Sequence, residues 1–213
     1  MQGDELYTSF SYDQLNRIVQ MQHYLHDTIY LTDTFEYDEG SRLVRKTSGN
    51  MTCTFQYNPA GQMISLQQTY AGSGHEWEIK YQYEHERIKK GITVFNGKED
   101  GYIEYKYDSR GNTVERNEYA ITDEGSGLML SYHAFVYDDK TNPMPPGSGY
   151  PPDIIQHNNP TYSNYYTAFM CSLPPEYHIT YDYDEAGLPL REYRQSGYSE
   201  HIQVSDYIYI DTE

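Results

Sequence analysis

The stretch Tyr105-Lys-Tyr107-Asp108-Ser-Arg-Gly111 recurs in this chain, intact or degraded, eight times, and it limits what the chain can become. Two aromatic residues two apart lie on one face of a strand. The Asp that follows bonds the backbone two residues on, and Gly at the fourth turn position supplies a positive φ, so the chain reverses. The other copies are Phe10-Ser-Tyr12-Asp13, Phe35-Glu-Tyr37-Asp38, Phe55-Gln-Tyr57-Asn58, Tyr81-Gln-Tyr83-Glu84, Phe135-Val-Tyr137-Asp138, Tyr181-Asp-Tyr183-Asp184 and Tyr207-Ile-Tyr209. Their second tyrosines are spaced 25, 20, 26, 24, 30, 46 and 26 residues apart. One hairpin with its turns occupies roughly two dozen residues, so the repeat predicts an antiparallel β-meander.

The strands themselves read clearly. Along Glu76–Tyr83, Trp77, Ile79, Tyr81 and Tyr83 alternate with Glu76, Glu78, Lys80 and Gln82, which predicts a sheet with one wet face. Each turn is followed by a second strand carrying basic residues, such as Arg42-Leu-Val-Arg45 and Thr113-Val-Glu-Arg116, placed to face acidic positions of the strand before it. Asn58-Pro-Ala-Gly61 is the best turn, and Asp13-Gln-Leu-Asn16 puts Asn where a positive φ is wanted. Asp38-Glu-Gly40 reads as one residue short, and Glu84-His-Glu-Arg87 has lost the pattern. Asn96-Gly97 is a strong two-residue hairpin signal on the opposite side.

Leu, Ile, Val and Phe make up about 17% of the 213 residues, and the net charge is −17, a combination that usually means disorder. Here 26 tyrosines at alternating positions replace the missing aliphatics, and disordered chains have no reason to keep such a period. The expectation is an all-β fold: a single domain over residues 1–213, one large antiparallel meander strongly curved into an open or partly closed barrel. The acidity excludes nucleic acid and anionic membrane as partners. There is no transmembrane run, and the start Met1-Gln-Gly-Asp4 carries no export signal, which is taken as trimmed. Cys53 alternates with Met51 and Phe55 on an apolar face, where a buried free thiol is expected; a bridge to Cys171 is the alternative.

One segment breaks the rhythm. Residues 138–176 hold eight of the ten prolines, and Pro cannot donate to a ladder, so this insertion is expected to lie outside the sheet and cap it.

The repeat resembles the YD repeat of RHS-type shells. A second likeness covers almost the whole chain, to small secreted or lipid-anchored Bacteroidetes proteins grouped as a domain of unknown function. It rests on Tyr137-Asp-Asp-Lys-Thr-Asn142-Pro143, the pair Asn158-Asn159, and Tyr181-Asp-Tyr183-Asp-Glu-Ala-Gly187-Leu-Pro189. That resemblance implies a cell-envelope setting, at the periplasm or outer-membrane surface, and a curved sheet like part of a porin barrel. It implies no activity.

Chemistry-bearing constellations are sparse. The eight histidines are scattered, and neither His-Glu-x-x-His nor Cys-x-x-Cys occurs, so no metal or other cofactor is expected. Asp138, Asp139 and Asp184 are weak candidates for Ca²⁺, with turn formation as the competing role. The aromatic row Trp77, Tyr81, Tyr83, Tyr105 and Tyr107 either offers ring faces to a ligand or forms the core under the insertion. Candidate ligand-binding residues are therefore Trp77 together with Tyr150, Tyr162, Tyr165 and Tyr166 of the insertion. The favoured function is non-catalytic binding or scaffolding at a bacterial cell envelope, with a glycan or an envelope protein as partner. The rival is a glycosidase-like hydrolase using a carboxylate pair under the insertion. Strand-like termini allow a monomer or a weak edge-strand dimer.

Overall fold

The structure, a computed structural model, describes residues 6–145, 152–168 and 176–210. Among these residues fifteen strands form one closed barrel in simple sequential order. They are β1 (Leu6–Tyr12), β2 (Ile18–Leu25), β3 (Thr28–Tyr37), β4 (Leu43–Ser48), β5 (Met51–Tyr57), β6 (Met63–Tyr70), β7 (Glu76–Glu84) and β8 (Arg87–Phe95). The remainder are β9 (Lys98–Tyr107), β10 (Thr113–Ile121), β11 (Gly127–Thr141), β12 (Asn158–Thr167), β13 (Glu176–Tyr183), β14 (Pro189–Ser196) and β15 (Ile202–Ile210). The all-β meander predicted from the repeat is present, and its curvature runs to full closure. A meander with an odd number of strands has its first and last pointing the same way. β1 therefore meets β15 in parallel, from Leu6↔Ser205 to Ser11↔Ile210. Both terminal strands are thereby paired, and neither is left as the free edge that a strand-exchanged dimer would use.

The repeat builds one rim of the barrel. In five turns the second aromatic of the motif pairs with the residue six positions on: Tyr12↔Ile18, Tyr37↔Leu43, Tyr57↔Met63, Tyr107↔Thr113 and Tyr183↔Pro189. The turn Asp or Asn holds this loop shut. Asp13 Oδ1 accepts the Arg17 amide at 2.9 Å while its other oxygen accepts Arg17 Nε at 2.7 Å. Asp38 repeats the arrangement on Arg42, and Asp108 on Asn112. Arg17 and Arg42 lower the carboxyl pKa of Asp13 and Asp38 through these bonds. The turn at Asp38 is full length after all: Ser41, at φ 62°, takes the left-handed position that Gly61 fills at φ 83° in the best copy. The copy at Glu84 is shorter by one residue, with Tyr83 pairing with Ile88.

Inward positions carry the core. Phe10, Phe35, Cys53, Phe55, Leu66, Tyr81, Ile103 and Tyr105 are buried. Cys53 is a free thiol, its pKa raised to about 11 by burial, whereas Cys171 lies outside the described residues. Outward positions are polar: Thr52, Thr54 and Gln56 on β5, Glu76, Glu78, Lys80 and Gln82 on β7, Glu104 and Lys106 on β9. The facing charges expected across strands are found at Glu36–Arg45 (3.6 Å) and Lys106–Glu115 (2.7 Å). Among the described residues no helix is long and apolar enough to cross a membrane.

The proline-rich insertion departs from expectation. It is not all outside the sheet, because Asn158–Thr167 is wall strand β12, paired on both sides. Pro160 is tolerated there because it faces Tyr137 where the β11–β12 register shifts. Of the connection between β11 and β12, residues 152–157 pack inside the lumen instead of lying over it, and Asp153 and Ile154 are among the most deeply buried residues.

Candidate functional site

The lumen is shaped by this inserted plug, and the plug's neck is tied by residues of the sequence motif. Asn158 donates its side-chain amide to the Lys140 carbonyl at 2.9 Å, and its backbone amide donates to Asn112 Oδ1 at 3.0 Å. Asn159 donates its backbone amide to Asp138 Oδ1 at 3.2 Å, and the Tyr183 hydroxyl donates to the other oxygen of Asp138. The Asn142 amide closes the neck on the His157 carbonyl at 2.9 Å.

Farther in, the plug is clamped by charge. Arg116 Nε lies 3.1 Å from both oxygens of Asp153, and Arg116 Nη1 donates to Glu118 Oε2 at 3.0 Å. The Tyr105 hydroxyl also donates to Asp153, and Ser131 donates to Glu118. Ile155 exchanges two bonds with Thr113: its carbonyl accepts from the Thr113 backbone amide at 2.8 Å, and its own amide donates to the Thr113 hydroxyl at 3.0 Å. Burial works against the Arg116 charge, yet Asp153, Tyr105 and Glu118 together outweigh it and raise the Arg116 pKa. Burial, then Asp153, pushes Tyr105 well above its ordinary value. His133 is pushed down to about 4 by burial and by Arg116. A second buried cluster joins His23, Asp33 and Lys46, with Lys46 Nζ 3.6 Å from Asp33. Burial disfavours the Asp33 charge, but His23, Ser48 and Lys46 together hold its pKa down.

Among the described residues three cavities touch the plug, one of them beneath the Asp-turn rim beside Tyr57, Tyr83 and Ile155, and the other two are the more polar. The smaller, about 170 Å³, opens at the rim opposite the Asp turns. Trp77, Tyr70 and Gln68 form its mouth, and Arg116, Glu118 and Asp153 lie at its floor. Trp77 is 37% exposed, and its ring packs on Phe95 with centroids 4.9 Å apart. The larger cavity, about 330 Å³, runs along the β1–β15 seam and shares no lining residue with the first.

The candidates named from sequence are dispersed. Trp77 lines the mouth cavity, while Tyr81 and Tyr105 of the same aromatic row are core. Tyr165 faces the lumen beside His133, with ring centroids 4.4 Å apart. Tyr162 and Tyr166 lie on the opposite, outer face by strand alternation, and Tyr150 falls outside the described residues. Asp138 is occupied by the Lys140 and Asn159 amides and Tyr183, Asp184 accepts the Leu188 amide at 2.8 Å, and Asp139 is exposed. Among the described residues no group of three or more His, Cys, Asp or Glu is placed to hold a metal ion. Sequence reasoning missed Arg116 and Asp153. The signal was slight: an apolar Ile154-Ile155 pair beside an Asp in an otherwise polar, proline-broken stretch.

A closed tyrosine-repeat barrel with a plugged lumen is a shell-type architecture. The Teneurin YD-shell family matches residues 2–140, well over half of the chain, and the protein belongs to that family. Among solved structures, a porin-like protein from Bacteroides uniformis ATCC 8492 is similar at 14% identity and a TM-score of 0.47, covering 91% of this chain and 83% of the other. A porin-like protein from Bacteroides vulgatus ATCC 8482 is similar at 12% identity and a TM-score of 0.42, covering 92% and 90%. The TcdB2-TccC3 structure without its hypervariable C-terminal region is similar at 13% identity and a TM-score of 0.35, covering 92% of this chain and 11% of the other. No curated protein matches the chain.

Proposed function

We propose that this shell is a non-catalytic binding protein of the bacterial cell envelope, secreted or lipid-anchored, and that its mouth cavity takes the end of a glycan. The observation that carries the reading is Trp77: a partly exposed indole, backed by Phe95, beside a cavity lined by Gln68, Tyr70 and Glu118. A sugar ring offers C–H faces to an aromatic ring and hydroxyls to amide and carboxylate groups, and this cavity has both kinds of wall. Its volume lies below the ~300–1,000 Å³ that encloses a drug-sized ligand, which suits one terminal ring better than an oligosaccharide or a protein surface.

The carboxylate geometry favours binding over hydrolysis. Both oxygens of Asp153 face Arg116, and Glu118 is shared by Arg116 and Ser131. Neither offers the free acid that protonates a glycosidic oxygen.

The test is a thermal-shift screen against host, plant and bacterial glycans, each with calcium and with a chelator. A ligand at about 100 times its dissociation constant stabilises by roughly 2.7 kcal/mol, a shift of a few degrees for a domain of this size. A shift with a glycan that disappears in Trp77→Ala supports the mouth site. A shift that survives Trp77→Ala but is lost in Tyr162→Ala/Tyr166→Ala moves the site to the outer wall. A shift with calcium alone, lost in Asp139→Asn, points to the acidic turns. No glycan shift overturns the reading for the sugars tested.

A further inference from the structure

The larger cavity contains an arginine whose bonding is incomplete. Among the described residues the lumen holds two guanidinium groups, and they differ. Arg116 spans two carboxylates, Asp153 and Glu118. Arg194 has one: its Nη2 meets Glu192 Oε1 at 2.8 Å, its Nε is enclosed without a hydrogen-bond partner, and its planar group lies 5.6 Å over the Tyr177 ring. The Arg194 side chain lines the cavity and is 38% exposed.

Glu192 is already answered, by Arg194 and by the Tyr207 hydroxyl at 2.7 Å. Apart from the tyrosines, the remaining titratable lining group is His23, which contacts Thr8 and Asp33, and Asp33 in turn faces Lys46. No carboxylate therefore faces the cavity without a cationic neighbour, and an incoming anion meets the exposed part of the Arg194 guanidinium. The remaining wall is aromatic and neutral polar, with Tyr30, Tyr181 and Tyr207 beside Gln203, Ser205 and Asn159. Its volume of about 330 Å³ falls at the lower end of the range for enclosed small ligands.

We infer that this chamber binds a carboxylate-bearing sugar of the uronic-acid class, whose carboxylate supplies to Arg194 the second acceptor that Arg116 already has. The tyrosine rings pack against the sugar ring, and the amide and hydroxyl side chains take its hydroxyls. The inference does not rest on the mouth site at Trp77, since the two cavities have no lining residue in common.

The experiment compares galacturonate with galactose by calorimetry on the whole chain, following Trp77 emission in parallel. Galacturonate is expected to bind about tenfold or more tightly than galactose, the difference a charge-assisted bond makes. Raised salt weakens it, and Trp77 emission does not change. Arg194→Gln is expected to remove the preference. Gln203→Ala, on the wall outside the ion pair, serves should Arg194→Gln fail to fold, and it weakens galacturonate severalfold. Equal affinity for the two sugars, no binding of galacturonate, or unchanged galacturonate affinity in either folded variant overturns the inference. Galacturonate binding that changes Trp77 emission also overturns it, placing the ligand in the mouth cavity.

Discussion

The second tyrosine of five of the eight repeats has a hydroxyl with a shared task. It donates to the carbonyl of the residue that closes the turn of the hairpin before it. Tyr37 reaches Ile18 at 2.7 Å, Tyr57 reaches Leu43 at 2.8 Å, Tyr83 reaches Met63 at 2.9 Å, Tyr137 reaches Thr113 at 2.7 Å and Tyr209 reaches Pro189 at 2.8 Å. The ring packs against the core while the hydroxyl ties one hairpin to the next, which explains why Phe is used freely at the first aromatic position and not at the second. Tyr183 donates to the Asp138 carboxylate instead, and Tyr107 differs again. The hairpin before it has the short turn at Glu84, and its hydroxyl finds no hydrogen-bond partner among the described residues. Tyr57→Phe is therefore expected to cost about 1 kcal/mol in urea unfolding, and Tyr107→Phe close to nothing. Equal losses would show that the hydroxyl bond is not what distinguishes these positions. His133 makes a pH prediction. Its pKa falls from 6.5 to about 4 on folding, so between those values the unfolded chain binds the extra proton. Stability from this group is fully present above about pH 6.5 and is lost as pH falls toward 4, by up to about 3 kcal/mol. His133→Gln is expected to flatten that part of the pH–stability curve, measured by chemical denaturation at stepped pH.

Among the elements, the plug carries the sharpest consequence. Asp153→Ala leaves Arg116 buried with Glu118 alone, and breaking a buried pair in this way costs about 3–5 kcal/mol. The expected outcome is a lowered urea midpoint together with faster proteolysis between β11 and β12. A wild-type cleavage rate would mean that the clamp does not hold the plug. The elements also mark where sequence reasoning succeeded and failed. The Asp turns were legible because each is a local contract between one side chain and the backbone four residues on. The Asn96-Gly97 hairpin was legible for the same reason, and both residues have positive φ, 48° and 82°. β12 was not legible, because Pro160 masked a strand whose single missing donor falls at a register shift. The Arg116–Asp153 pair was hidden by its separation of 37 residues, which no local pattern spans.

At the scale of the whole molecule, closure follows from strand direction. Without β12, strands β11 and β13 would point the same way and could not be neighbours in a meander, so misreading that one strand also hides how the sheet closes. Closure buries Tyr81 and Tyr105 of the aromatic row, and the plug separates the mouth cavity from the seam cavity. Half of the candidate site was readable in advance: Trp77 stood out as an aromatic on an inward row. Its polar companions Gln68 and Glu118 did not, since only the closed barrel brings β6, β7 and β10 to one opening.

Trp77 is the chain's single tryptophan, so its emission reports on that opening alone. The most direct test is to follow this emission while titrating the glycan panel into the wild type and into Gln68→Ala. The account requires a saturable change in the wild type with at least one sugar, weakened in Gln68→Ala. A glycan that stabilises the protein while Trp77 emission stays constant would place recognition elsewhere and contradict the mouth site.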